Sequence, residues 1–135
     1  MAIDFKTENH FNGGVSITFN PNPEATALRF GFSYNADGGL HYTDGDAENV
    51  VLPRSDIKQL SPYRFALEID FSAGTYDIAI TGEHDDGSPL FHEKKGIPFQ
   101  GTFSPSSPGD AIYLFNTTPT VMTGYFQSIV VERLE

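Results

Sequence analysis

The chain has 135 residues and no cysteine, about one domain's worth and too short for two well-cored ones. The missing cysteines exclude a disulfide scaffold, a thiolate metal site and a Cys nucleophile. Eighteen acidic against eight basic residues give a net charge of −10, which repels phosphates and anionic lipid heads, and Lys94-Lys95 is the largest basic cluster. Nucleic acid is therefore not an expected partner, and no apolar run is long enough to predict membrane insertion.

Read from the start, Met1 to Asn9 carry Asp4, Lys6 and Glu8 and do not form a signal peptide. Met1-Ala2 and Leu134-Glu135 read equally well as joints left by cloning, around a piece of a longer protein, and as natural termini. Ile3 and Phe5, then Val15, Ile17 and Phe19, alternate apolar with polar residues, as half-buried strands require. Asn20-Pro21-Asn22-Pro23 is a loop, because proline cannot donate to a central ladder. Leu28, Phe30, Phe32 and Tyr34 alternate with Arg29, Gly31, Ser33 and Asn35. Asp37-Gly38-Gly39 then predicts a hairpin turn into a short strand through Leu40 and Tyr42.

Asp44 to Asn49 reads as an acidic connecting loop, and Ser55 to Leu60 at most as one helical turn capped by Ser55. Tyr63, Phe65, Leu67 and Ile69 alternate with Arg64, Ala66, Glu68 and Asp70. Ser72-Ala73-Gly74 turns that strand back into Tyr76, Ile78 and Ile80, and Asp85-Asp86-Gly87 makes the next turn before Leu90 and Phe91. After the Ser/Pro loop at 104–109, strands resume at Ala111 to Phe115 and at Tyr125 to Val131. About ten short strands without sustained helical spacing predict an all-β fold of the sandwich, jelly-roll or barrel class. An antiparallel two-sheet β-sandwich spanning residues 1–135 as one domain is the expected architecture.

Two stretches carry a family likeness. Tyr63-Arg64-Phe65-Ala66-Leu67-Glu68-Ile69-Asp70 followed by Gly74-Thr75-Tyr76-Asp77-Ile78-Ala79-Ile80 resembles a hairpin of concanavalin A-like lectin/glucanase (laminin G-like) domains. Gly124 to Val131 is similar to the last strand of that family, with Gln127-Ser128 where an acidic pair is usual, so no role of that pair is carried over. The likeness covers roughly residues 60–133. It implies a jelly-roll sandwich whose usual role is glycan binding or support of a neighbouring catalytic domain, in an extracellular or cell-surface setting.

Glu68-Ile69-Asp70-Phe71 resembles the opening of the Glu-x-Asp-x-x-Glu strand of retaining glucanases on this fold. Ser72 or Ala73 stands where the second glutamate belongs, so two carboxylates cannot flank a sugar and no hydrolase is expected. Asp44, Asp46 and Glu48 alternate along a loop and offer three hard oxygen ligands, a candidate calcium site; an ordinary acidic turn explains them too. The histidines His10, His41, His84 and His92 show no metal-ligand spacing. Asn116-Thr117-Thr118 matches a glycosylation sequon.

Glycan recognition needs aromatic faces for stacking and polar groups for hydroxyls. With no Trp, the candidates are Tyr42 beside His41, and Tyr113 with Asn116, each tyrosine fitting a half-buried core position as well. The expectation is a non-catalytic carbohydrate-binding module for a neutral glycan, not an enzyme. The alternative is a structural or protein-interaction domain supporting a larger enzyme or surface protein.

Overall fold

The computed structural model describes residues 2–7, 13–18, 26–32, 39–58, 61–70, 72–100, 111–116 and 124–130, with side chains over 28–31, 39–58, 61–70 and 72–100. Its strands are β1 (Ala2–Thr7), β2 (Gly13–Thr18), β3 (Thr26–Phe32), β4 (Gly39–Asp44) and β5 (Ala47–Pro53), then β6 (Tyr63–Asp70), β7 (Thr75–Glu83), β8 (Pro89–Pro98), β9 (Ala111–Asn116) and β10 (Gly124–Val130). They form two five-stranded sheets, ordered β10-β1-β6-β7-β8 and β5-β4-β3-β2-β9. All the pairings among these strands are antiparallel. The chain is all-β. Among the described residues no helix is long and apolar enough to cross a membrane.

Period-two alternation decides which face each residue takes. Tyr63, Phe65 and Leu67 on β6 and Tyr76, Ile78 and Ile80 on β7 are buried, while Arg64 and Glu68 between them are exposed. The β6–β7 register, Phe65 on Ile80 and Leu67 on Ile78, keeps the apolar set on one face. From the other sheet come Leu28, Phe30, Leu40, Tyr42 and Leu52, and all belong to one core cluster. The Phe30 and Phe65 rings meet with centroids 4.8 Å apart, joining the two sheets through that cluster.

Turn chemistry sets the hairpins. At the β6–β7 turn the Asp70 carboxylate accepts the Ser72 hydroxyl at 2.7 Å and the Ser72 and Ala73 N–H groups at 2.9 Å. Those bonds, the Ser72 hydroxyl first, hold its carboxyl below the usual range. Asp86 does the same for Ser88 between β7 and β8. Between β4 and β5, Asp44 opposes Ala47 directly, leaving Gly45-Asp46 as a two-residue turn. Gly45 has a φ of 59°, the left-handed conformation such turns need.

Two expectations give way here. Residues 47–49 are strand rather than loop, since β5 begins at Ala47. The single helical turn is a 3-10 turn at Arg54–Asp56 with Pro53, not Ser55, at its cap position and no side-chain cap bond. Proline pre-sets the entry, because its missing N–H is one that the turn leaves unpaired anyway. At the start of β4, a Cβ on Gly39 would lie 2.0 Å from the Leu52 carbonyl oxygen, so only glycine lets β5 end that close. The loops expected at 20–23 and 104–109, the residues Asp37-Gly38, and His10 lie outside the described residues.

Candidate functional site

In the sheet β5-β4-β3-β2-β9, Leu28, Phe30, Leu40 and Tyr42 take the core face, so Arg29, Gly31, His41 and Thr43 take the other. The pairings place them in rows that cross the whole sheet. One row runs Tyr113–Ser16–Arg29, then to Thr43 and Glu48. The described β3–β4 pairing stops at Phe30–Tyr42. Beyond it the Arg29 N–H donates to Thr43 Oγ1 at 3.0 Å, so a side chain continues the ladder. Four strand spacings make this row about 19 Å long.

The next row runs Phe115–Gly14–Gly31–His41–Val50. Two adjacent glycines leave the middle of the face without side chains. Gly31 has a φ of 149°, which side-chain-bearing residues rarely adopt, and such a glycine inside a strand marks room for close approach to the backbone.

Around this furrow the polar groups are held in place. His41 is 7% exposed; Nδ1 lies 3.2 Å from the Gly39 carbonyl and Nε2 lies 3.0 Å from the Glu48 carboxylate. Arg29 and Glu48 are exposed, and Val50 is 40% exposed at the rim. The face thus presents the Arg29 guanidinium and the Glu48 carboxylate, while His41, Thr43 and Gly31 between them are buried. Such a set can donate to and accept from sugar hydroxyls.

His41 and Tyr113 therefore occupy the same face, with Glu48 beside His41. Tyr42 does not join them. Its ring is 0% exposed in the core, because its neighbour His41 takes the opposite face, and no ring surface is left for stacking. Asn116 pairs with Gly13 in the row of Leu40 and Leu52, whose side chains are buried, so it falls on the core-facing parity, opposite to Tyr113. The side chains of Tyr113 and Asn116 lie outside the described ones. Sequence reasoning passed over Arg29 and Thr43, although alternation with Leu28 and Phe30 already set Arg29 on the polar side.

The three calcium candidates do not converge. Asp44 forms an ion pair with Lys94 of β8, Glu48 bonds His41 on the opposite face, and Asp46 is exposed in the turn. Among the described residues no group of three such side chains is placed to hold a metal ion. Of the pair considered for hydrolysis, Glu68 is exposed opposite Asp77, and Asp70 caps its turn.

A second polar cluster joins the two sheets near the β5 and β8 edges. The Tyr42 hydroxyl accepts from Asn49 Nδ2 at 2.6 Å and lies 2.9 Å from His92 Nε2, with the rings 5.5 Å apart. Burial raises the Tyr42 hydroxyl's pKa, partly offset by the Lys94 charge; burial, then Lys94, lowers that of His92. Tyr76, also raised by burial, donates its hydroxyl to the Thr43 carbonyl, and the Gly45 N–H donates to Pro98 O at 3.0 Å. The face of β6, β7 and β8 away from the core carries an open hollow of about 260 Å³ floored by Ala66 and Ala79, with Glu68, Asp77 and Glu93 around it. No protein-family profile matches this chain, and neither does any curated protein or solved structure with which it was compared.

Proposed function

We propose that the chain is a non-catalytic glycan-binding accessory domain that holds a neutral oligosaccharide on the outward face of β3, β4 and β5. The observation that carries this reading is the single row Tyr113–Ser16–Arg29–Thr43–Glu48, with His41 beside it and the Gly14–Gly31 strip in the next row. Arg29 supplies donors, Glu48, held by His41, an acceptor, and Tyr113 the aromatic candidate for stacking. A net charge of −10 disfavours polyanionic glycans.

The fold belonging to this reading is a two-sheet sandwich of the concanavalin A-like jelly-roll kind. Pairing of the first strand with the last, and of the second with the ninth, supports it, as does one core fed by both sheets. In such a setting the domain works outside the cell or on its surface, beside a catalytic domain. Calcium is no part of the proposal.

A second reading, a protein-interaction domain, draws on Phe91. It is 67% exposed on the other sheet, away from the face described above.

Isothermal titration against soluble neutral oligosaccharides tests the first reading. Arg29→Ala, Glu48→Gln and Tyr113→Ala are each expected to weaken binding, with an anchor residue costing about 1–3 kcal/mol. Binding untouched by all three variants would move the site elsewhere. An absence of binding across the panel would favour the second reading.

A further inference from the structure

Among the described residues, the polar links from β4 and the β4–β5 turn to the other sheet concentrate on β7 and β8. They are Tyr42 to His92, Asp44 to Lys94, the Thr43 carbonyl to Tyr76, and Gly45 to Pro98. The first of these differs in kind from the others. The Tyr42 hydroxyl is occupied from one side by the Asn49 amide, a donor, so its own proton must go to an acceptor. That acceptor is His92 Nε2, which accepts only while the ring is neutral.

We propose that the His92–Tyr42 contact is an acid-released clasp, in which proton uptake by His92 frees the β4–β5 hairpin from the β8 edge. A proton from solvent on Nε2 turns the acceptor into a donor facing a hydroxyl that already receives the Asn49 amide. The Tyr42 proton is then left without an acceptor beside a ring that is 0% exposed. The new charge also has poor company. On its own strand His92 has Lys94 two residues away; from β4 come Tyr42 and Asp44, and Asp44 is already paired with Lys94; from β7 comes the apolar Ile80, directly opposite; β5 brings the uncharged Asn49. No free carboxylate among the described residues faces the imidazolium.

The direction follows from linkage. With His92 favouring its neutral form in the fold, the unfolded or opened chain takes the proton first, so the clasp weakens as pH falls below histidine's ordinary value. The hairpin so released carries His41 and Glu48, but the clasp stands independently of any ligand on that face.

Amide hydrogen exchange of the whole chain tests it. Protection of residues 41–49, corrected for intrinsic rates and taken relative to β6 and β7, is expected to fall roughly threefold or more between pH 7.5 and 5.5. His92→Gln keeps an acceptor but does not titrate, and in it the ratio is expected to hold steady across that range. His41, His84 and His10 are common to both proteins, so whatever they contribute cancels in the comparison. A ratio independent of pH in the unmodified chain would overturn the clasp. An equal fall in His92→Gln would do the same.

Discussion

Replacing Gly82 by alanine should be costly for a reason that lies across the strand rather than at the glycine. A Cβ at this position would meet Tyr63 Cδ1 at 2.5 Å, Cε1 at 2.9 Å and Cγ at 3.3 Å. Ordinary contact begins near 3.4 Å, so ring and strand must separate by close to 1 Å. The ring has little freedom to yield. Tyr63 is 0% exposed, its hydroxyl donates to the Glu83 carbonyl at 2.7 Å, and the Lys58 N–H donates to it at 2.8 Å. Overpacking of this kind costs about 1–3 kcal/mol, while losing a glycine from the unfolded chain returns about 0.4–1 kcal/mol. A net loss of about 1–2 kcal/mol is expected. With a urea slope of about 1–3 kcal/mol/M, the midpoint should drop by roughly 0.5–1 M at unchanged slope, read by tyrosine fluorescence and dichroism. The same substitution in a Tyr63→Leu background should cost less, since the ring is gone. Gly82→Ala matching the parent stability, or equal costs in both backgrounds, would refute the argument.

Two further outcomes are expected. The pKa values of Asp56, Asp70, Glu83 and Asp86 are lowered in the fold, by hydrogen bonds from His84, Ser72, Lys58 and Ser88 first in each case. Their contribution is present above the unfolded carboxylate range and lost as pH falls through it toward the folded values, so denaturant midpoints should decline from about pH 4.5 downward, and midpoints flat to pH 2.5 would contradict this. Glu68→Gln should leave stability within about 0.5 kcal/mol, because Glu68 is exposed on the face away from the core; release of reducing sugar from a β-glucan by the parent but not by this variant would instead make Glu68 catalytic.

The fold was most legible where alternation is uninterrupted. Tyr63 to Asp70 and Tyr76 to Ile80 announce both strands, the buried face and the turn between them. β5 was missed because Ala47-Glu48-Asn49 has no large apolar member to alternate, and its inward residue is an amide that serves the Tyr42 hydroxyl. The Glu93-Lys94-Lys95 run hid most of β8 for a related reason: the pairing shifts between Tyr76 and Ile78, and that irregularity breaks the period. The site was legible only in part. Proximity along the chain suggested Tyr42 with His41 and Tyr113 with Asn116, yet odd spacings within a strand put partners on opposite faces. Grouping by parity instead assembles Arg29, His41, Thr43 and Glu48. What no parity argument supplies is strand order, which brings β9 into the same row.

The closure of the sheets bears on the order in which this chain can fold during synthesis. Ala2 pairs with Val130 and Thr18 with Ala111, so β1 waits for β10 and β2 for β9 before both their sides are covered. Until then β1 has only β6 beside it and β2 only β3, each with an open flank able to recruit a neighbouring nascent chain. The hairpins from β3 to β5 and from β6 to β8 need no such wait, because their partners follow within a short loop. Assembly from the middle outward, slowed by the long closure at the end, is the order this connectivity favours. A ribosome-held chain stopped before β9 would present β1 and β2, rather than its newest residues, as the sticky part.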